Sequence, residues 1–178
     1  MSSDSPIESP AGPLARTRLT VKPEWIDHNG HMNVAFFVLA FDEATDTVYE
    51  DWGIGLEYPD KSGCSVFTLG MNVDYRAELF EGDAIDVTTQ LVAMDAKRLH
   101  YFHRMYKAET GAHCASNECL VMNVDLGTRR SAPFPADVLS KLTAIHAAHS
   151  ELGLPEDFGR RLEIRRADSA SAALSPTQ

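Results

Sequence analysis

An α+β fold, in which an antiparallel sheet wraps around one long helix, is predicted by three observations. Residues 34–52 carry one strongly apolar helical face, and four later runs alternate apolar and polar residues with short turns between them. The element order is strand, long helix, four-strand meander and terminal helix, which gives one apolar helix and one large sheet as complementary surfaces. A chain of 178 residues with 44% hydrophobic and 24% charged content suits a single globular domain with a sizeable core.

Residues 1–16 hold four Ser and three Pro with few large apolar groups, and are expected to form a disordered arm. Alternation over residues 17–21 suggests a strand that Pro23 limits. Next comes Glu24-Trp25-Ile26-Asp27-His28-Asn29-Gly30-His31-Met32-Asn33, which crowds an acid, two imidazoles, amides and a glycine at the mouth of the helix. Asn33 is a candidate N-cap, and Gly53 with Gly55 supplies the stop. Phe37, Phe41, Val48 and Trp52 mark the apolar side of this helix, while Asp42, Glu43, Asp46 and Glu50 take the other.

Residues 55–63 contain Pro59, Asp60 and Gly63 and read as a loop. Phe67, Leu69, Met71, Val73 and Tyr75 then give the clearest strand, with one buried face expected. Turns at 81–83, 95–97 and 109–111 lead into three more, and the four should pair as a meander. Pro133 and Pro135 introduce a helix over about residues 136–149. Residues 17–150 are thus the expected domain, and 151–178 a partly disordered C-terminal extension carrying the basic cluster Arg160, Arg161, Arg165 and Arg166.

Composition narrows the function. A net charge of -10 repels a phosphate backbone, so nucleic acid is not an expected partner. No apolar run approaches the roughly 18 residues of a membrane span, and the N-terminus lacks the pattern of a secretory signal, so a cytoplasmic protein is expected. Three cysteines without Cys-x-x-Cys spacing read as reduced thiols. His100 and His103 lie three apart on a strand and so face opposite sides, while His146 and His149 share a helix face without a third ligand of known spacing, so no metal is expected.

The run Asp27-His28-Asn29-Gly30-His31-Met32-Asn33 resembles the Asp-x-x-Gly-His-x-Asn signature of hotdog-fold acyl-CoA thioesterases of the 4-hydroxybenzoyl-CoA thioesterase type. The likeness continues through the helix and through Val73-Asp74-Tyr75-Arg76-Ala77-Glu78-Leu79 with Gly82-Asp83, covering about residues 17–150. It implies a hotdog fold, an acyl-CoA substrate, no cofactor, and a homodimer or homotetramer with sites between protomers. Asp27 falls on the family's catalytic carboxylate, and Asp27, Asn29 and His31 also match the Asp-x-Asn-x-His pattern of plant acyl-ACP thioesterases. The commonest family pattern has two consecutive Asn and then a Tyr. Here Val34 follows Asn33 and Phe36-Phe37 replaces the tyrosine, which implies a more apolar acyl pocket. Residues 23–46 look like thioesterases of carnitine breakdown that act on betainyl-CoA.

Thioester hydrolysis needs a base or nucleophile beside the carbonyl and donors for the oxygen that becomes negative. Asp27 suits either first role, and backbone amides of Gly30 to Met32 at the helix N-terminus suit the second. Asn29 and His31 would orient water, bond Asp27 or brace the loop. Gly30, Met32, Asn33, Phe36, Phe37, Tyr75 and Arg76 are the expected substrate contacts. Arg129-Arg130 and the Arg160 cluster are candidates for CoA phosphates or an ordinary solvated basic face. Trp25, Trp52, Phe36, Phe37 and Phe102 read as core, or as an aromatic box for a trimethylammonium group. The rivals are a hotdog enoyl-CoA hydratase, whose Asp-x-Asn-Pro-x-His pattern Gly30 breaks, and a non-catalytic acyl-CoA-binding hotdog module.

Overall fold

The computed structural model describes residues 14–163. Strand β1 spans Ala15–Thr20, a single 3-10 turn covers Pro23–Trp25, and helix α1 runs Val34–Trp52. A five-residue helix α2, Tyr58–Ser62, precedes strands β2 Cys64–Tyr75, β3 Ala84–Met94, β4 Arg98–Lys107 and β5 His113–Asp125. The short β6, Arg130–Ser131, and helix α3, Ala136–Ser150, complete the order.

Helix α1 forms where the sequence says it should. The Asn33 side chain accepts from Ala35 N at 3.0 Å, satisfying an orphan amide, and Gly53 ends the helix at φ 81° with its N–H on Glu50 O and Tyr49 O. Phe37, Ala40, Phe41, Ala44, Val48 and Trp52 face the sheet, and the two alanines, fully buried, let the helix axis approach it closely. Phe37 and Phe41 join one half of the core with Trp25, Met32 and Leu79, while Val48 and Trp52 join the other with Tyr58, Tyr101 and Leu142.

The strand order is β1-β3-β4-β5-β2, all antiparallel, with β6 added beside β5. This corrects the four-strand meander expected from the sequence: only β3, β4 and β5 follow one another, and β2 pairs with β5. Period-2 alternation reveals that a strand is half-buried but not which strand it pairs with. Residues 76–83 instead carry the chain across the end of the sheet, burying Leu79 against the turn before α1. A second correction concerns 55–63, where the expected loop contains α2, closed by Gly63 at φ 69°.

As an end strand, β2 leaves one edge unpaired, and its expected buried face is half open: Leu69, Met71 and Tyr75 are 47–50% exposed. A bulge between Thr68 and Gly70 interrupts its register with β5.

The residues after α3 lie on the sheet's other face. Asp157, its side chain 8% exposed, accepts from Arg104 at 2.6 Å, Ser116 Oγ at 2.7 Å and Arg76 at 3.2 Å. Phe158 stacks by His100 and Phe102, and Gly159 N donates to Glu118. A segment of low hydropathy is thus pinned by one acid and one ring. Arg165 and Arg166 of the basic cluster, and most of the expected N-terminal arm, lie outside the described residues.

Candidate active site

The polar turn ahead of α1 is tied at both ends. Ile26 and Met32 form an antiparallel bridge, Asp27 N donates to His31 O at 3.1 Å, and Gly30 N donates to Asp27 O at 2.9 Å. Gly30 sits at φ 82° with open space where a Cβ would stand, so backbone conformation and not crowding calls for glycine. The buried Met32 donates its N–H to Leu79 O at 2.7 Å, and Asn33 N donates to Trp25 O at 2.9 Å.

This frame presents the Asp27 carboxylate with each oxygen already oriented. Oδ1 accepts from the Asn29 amide at 2.8 Å, and Oδ2 accepts from Asn33 Nδ2 at 3.1 Å. The Asn29 amide chiefly, helped by the Asn33 side chain and the nearby imidazoles, holds this carboxyl below the ordinary carboxylate range against desolvation, the second-largest influence. Asp27 is therefore an open, ionised and positioned carboxylate at a helix N-terminus.

The other expected residues divide into groups. Asn29 braces Asp27 through its backbone. Asn33 has two roles, capping α1 through Oδ1 and holding Asp27 through Nδ2. The His31 ring points away from Asp27, with Nδ1 3.3 Å from Met32 O and Nε2 3.8 Å from Glu78 Oε1. His31, Met32, Val34, Phe37, Tyr75 and Arg76 do converge, lining a groove of about 230 Å³ beside the turn. Phe37 packs edge-on to Tyr75, whose hydroxyl donates to Val34 O at 3.3 Å. Phe36 is set apart, stacked on Trp25 at 5.9 Å, and Arg76 reaches back to Asp157. Arg160 pairs with Asp74 at 3.1 Å.

Sequence reasoning missed two features. Leu79 is one, since its carbonyl fixes the Met32 amide. The other is a cavity of about 290 Å³ between α1, α2 and the sheet, with Asp42 and Asp46 on its rim. A helical wheel assigns those acids to solvent, and nothing in it marks the Asn117 that faces them from β5. The buried His103, a weak signal in sequence, is a core group: its pKa is pushed down to about 3 by burial, and it bonds Thr89 at 2.8 Å and Thr45 at 3.0 Å. Because Thr45 Oγ1 donates to Phe41 O, it accepts from His103 Nε2–H, which leaves Nδ1 to accept from Thr89. Among the described residues no His, Cys, Asp or Glu cluster is arranged to hold a metal, and no helix is long and apolar enough to cross a membrane.

Comparison with known proteins agrees with this geometry. Residues 21–142 match the thioesterase-like superfamily. Betainyl-CoA thioesterase of Pseudomonas aeruginosa is 41% identical over 140 residues, which cover 79% of this chain and 88% of that one. A Rhizobium meliloti protein, L-carnitine dehydrogenase/betainyl-CoA thioesterase, is 31% identical over 88% of this chain but only 31% of its own length. Among solved structures, a Staphylococcus aureus protein in complex with CoA superimposes with a TM-score of 0.80 at 30% identity, over 85% of this chain and 96% of that one. A putative thioesterase of Pseudomonas putida gives 0.72 at 30% identity, over 84% and 96%. With its sheet curled about α1 and its acid at the helix mouth, the chain belongs to the thioesterase-like superfamily of hotdog-fold thioester hydrolases.

Proposed function

We propose that the chain hydrolyses the thioester of a short or polar acyl-CoA of the betainyl-CoA kind, with Asp27 as general base or nucleophile. The observation that carries this reading is the Asp27 carboxylate, ionised and fixed by the Asn29 amide and the Asn33 side chain in the turn whose His31 and Met32 line the groove. From there it attacks the carbonyl carbon directly, or removes a proton from a water that does so. Of the expected oxyanion donors, the Gly30 and Met32 amides are committed to internal acceptors, which leaves the His31 N–H of that set. Gly30 and Met32 therefore serve by shaping the turn, and the His31 ring, with Glu78 beside it, flanks the groove. The identity to the Pseudomonas aeruginosa enzyme supports a betainyl acyl group, and the CoA complex of the Staphylococcus aureus protein supports a CoA ester. The unpaired edge of β2 supports a homodimer, or a homotetramer built from it.

Thiol release over a panel of acyl-CoA esters, with wild type and Asp27→Asn, tests the reading. Turnover of betainyl-CoA that Asp27→Asn abolishes is expected, and equal rates in the two proteins would remove Asp27 from the chemistry. Single-turnover hydrolysis in ¹⁸O-water tests the nucleophilic route, because label in the Asp27 carboxyl group arises only when water opens an aspartyl–acyl anhydride at the Asp27 carbonyl.

A further inference from the structure

Midway along α1, Asp42 and Asp46 border the 290 Å³ cavity, whose inner wall is made by Tyr49, Tyr101 and Asn117. No Lys or Arg among the described residues pairs with either acid; both are open to solvent at the cavity mouth. Desolvation first, and then Asp42, Glu50 and Glu43, push the Asp46 carboxyl upward, so its surroundings add negative charge and supply no cation. Deeper in, Asn117 is 2% exposed, and its Oδ1 accepts no hydrogen bond. A buried carbonyl oxygen without a donor is costly, and here it lies on the wall of a cavity with two unpaired carboxylates at the rim. Tyr49 and Tyr101 bond each other through their hydroxyls at 3.2 Å and stand edge to face, with ring centroids 6.2 Å apart. Two carboxylates and a bare amide oxygen present negative potential to the same space, beside two tyrosines. Aliphatic Val38, Ile54 and Val66 share the remaining wall with Thr45, Ser65 and Thr68, a mixed lining that suits a cation with an apolar shell.

We propose that this cavity receives the quaternary ammonium end of the acyl group, inside the two-protomer site that the hotdog resemblance implies. The proposal rests on the thioesterase reading above. The two-protomer site that the resemblance implies agrees with distance and topology. From Val34 to Asp46 the helix rises roughly 18 Å at about 1.5 Å per residue. In a betainyl group the carbonyl carbon and the nitrogen are roughly 2.5 Å apart, two single bonds at an open angle. A chain's own Asp27 therefore cannot act on an acyl group whose nitrogen sits between its own Asp46 and Asn117. The edge strand resolves the mismatch. Thr68, Met71 and the Ser65 end of β2 line the cavity, whereas Tyr75, at its other end, lines the Asp27 groove. Antiparallel pairing of β2 with β2 of a two-fold copy sets the Tyr75 end of one chain against the Ser65 end of the other. The exposed Leu69 and Met71 are covered, and the partner subunit's Asp27 comes to the side of the sheet where this cavity opens.

The test compares betainyl-CoA with its uncharged carbon isostere, 3,3-dimethylbutyryl-CoA, in wild type, Asp42→Asn and Asp46→Asn. Wild type should prefer the charged ester in kcat/KM, and each neutralised acid should lower that preference about tenfold, mainly through KM. A wild type that turns over both esters equally leaves the thioesterase reading standing and overturns the cation pocket, as does an unchanged preference in both variants. If neither ester is hydrolysed, the thioesterase reading fails, and calorimetric affinities for the same two esters decide the pocket by the same ratio. Co-expression tests the shared site. Asp27→Asn and Asp46→Asn chains, each poor alone on betainyl-CoA, should recover about a quarter of wild-type turnover together, since half the dimers are mixed and each restores one site. No recovery, with mixed dimers verified by mass, places both acids in one chain's site and overturns the shared arrangement.

Discussion

Two acids near the same helix are treated in opposite ways. Asp27, ahead of α1, has a donor on each oxygen and is held below the ordinary carboxylate range, while Asp46, inside α1, has no cationic partner among the described residues and is pushed above it. The first environment fixes the geometry and ionisation of the acid proposed to react. The second leaves negative charge that the chain does not compensate, as a site for an incoming cation would. Both arrangements use the same residue type, so what separates the acid proposed to react from the acid proposed to recognise is the set of atoms around it.

The largest expected effect is at Asp27, the acid proposed to react. Asp27→Asn should lower kcat by roughly 10²–10⁴ with a nearly unchanged melting curve, measured by thiol release and calorimetry. A small kcat change would erase the contrast between the two acids.

Next is the buried imidazole on the inner side of α1. The folded pKa of His103, about 3, lies below its ordinary value of 6.5, so the unfolded chain takes up the proton first. This contribution is complete above pH 6.5 and is lost as pH falls towards 3, reaching about 3 kcal/mol by pH 4. His103→Gln should flatten the pH dependence of denaturant stability in that window. Asp46 works in the other direction, since its raised pKa adds stability as it protonates, and a wild-type curve that rises on acidification would give Asp46 the larger share.

Asn33→Ala comes third. It removes the helix cap and the Asp27 Oδ2 donor together, so about 1 kcal/mol of stability and about tenfold in kcat should be lost. Loss of stability alone would reduce Asn33 to a cap.

The smallest effect has the opposite sign. Asp42, Asp46 and Glu50 are spaced four apart on α1, and like charges at that spacing cost roughly 0.2–0.5 kcal/mol a pair, so Asp46→Asn should stabilise the chain slightly. A destabilised variant would mean that Asp46 has a structural partner and is no recognition group.

The Asp27 turn and α1 were legible in the sequence because their determinants are local: a cap, a period of 3.6, a glycine required by a positive φ, and a short motif. The partner of β2 was not, because alternation carries no information about which strand lies alongside. The cavity was hidden for a related reason. Asp46 and Asn117 belong to different elements, and each looks ordinary by itself, a polar residue on a helix flank and an amide in a strand. Asp157 was missed because a single acid in a polar segment has no periodicity to betray it.

That same Asp157 bears on where the chain can be cut. It gathers Arg104, Ser116 and Arg76 from the back of the sheet, while Phe158 shields Phe102. A recombinant version ending at Ser150 would bare that aromatic surface and leave the guanidinium groups without their shared acceptor. Its expected behaviour is poor solubility and fast digestion by trypsin, so a well-behaved fragment for expression should keep residues to 163.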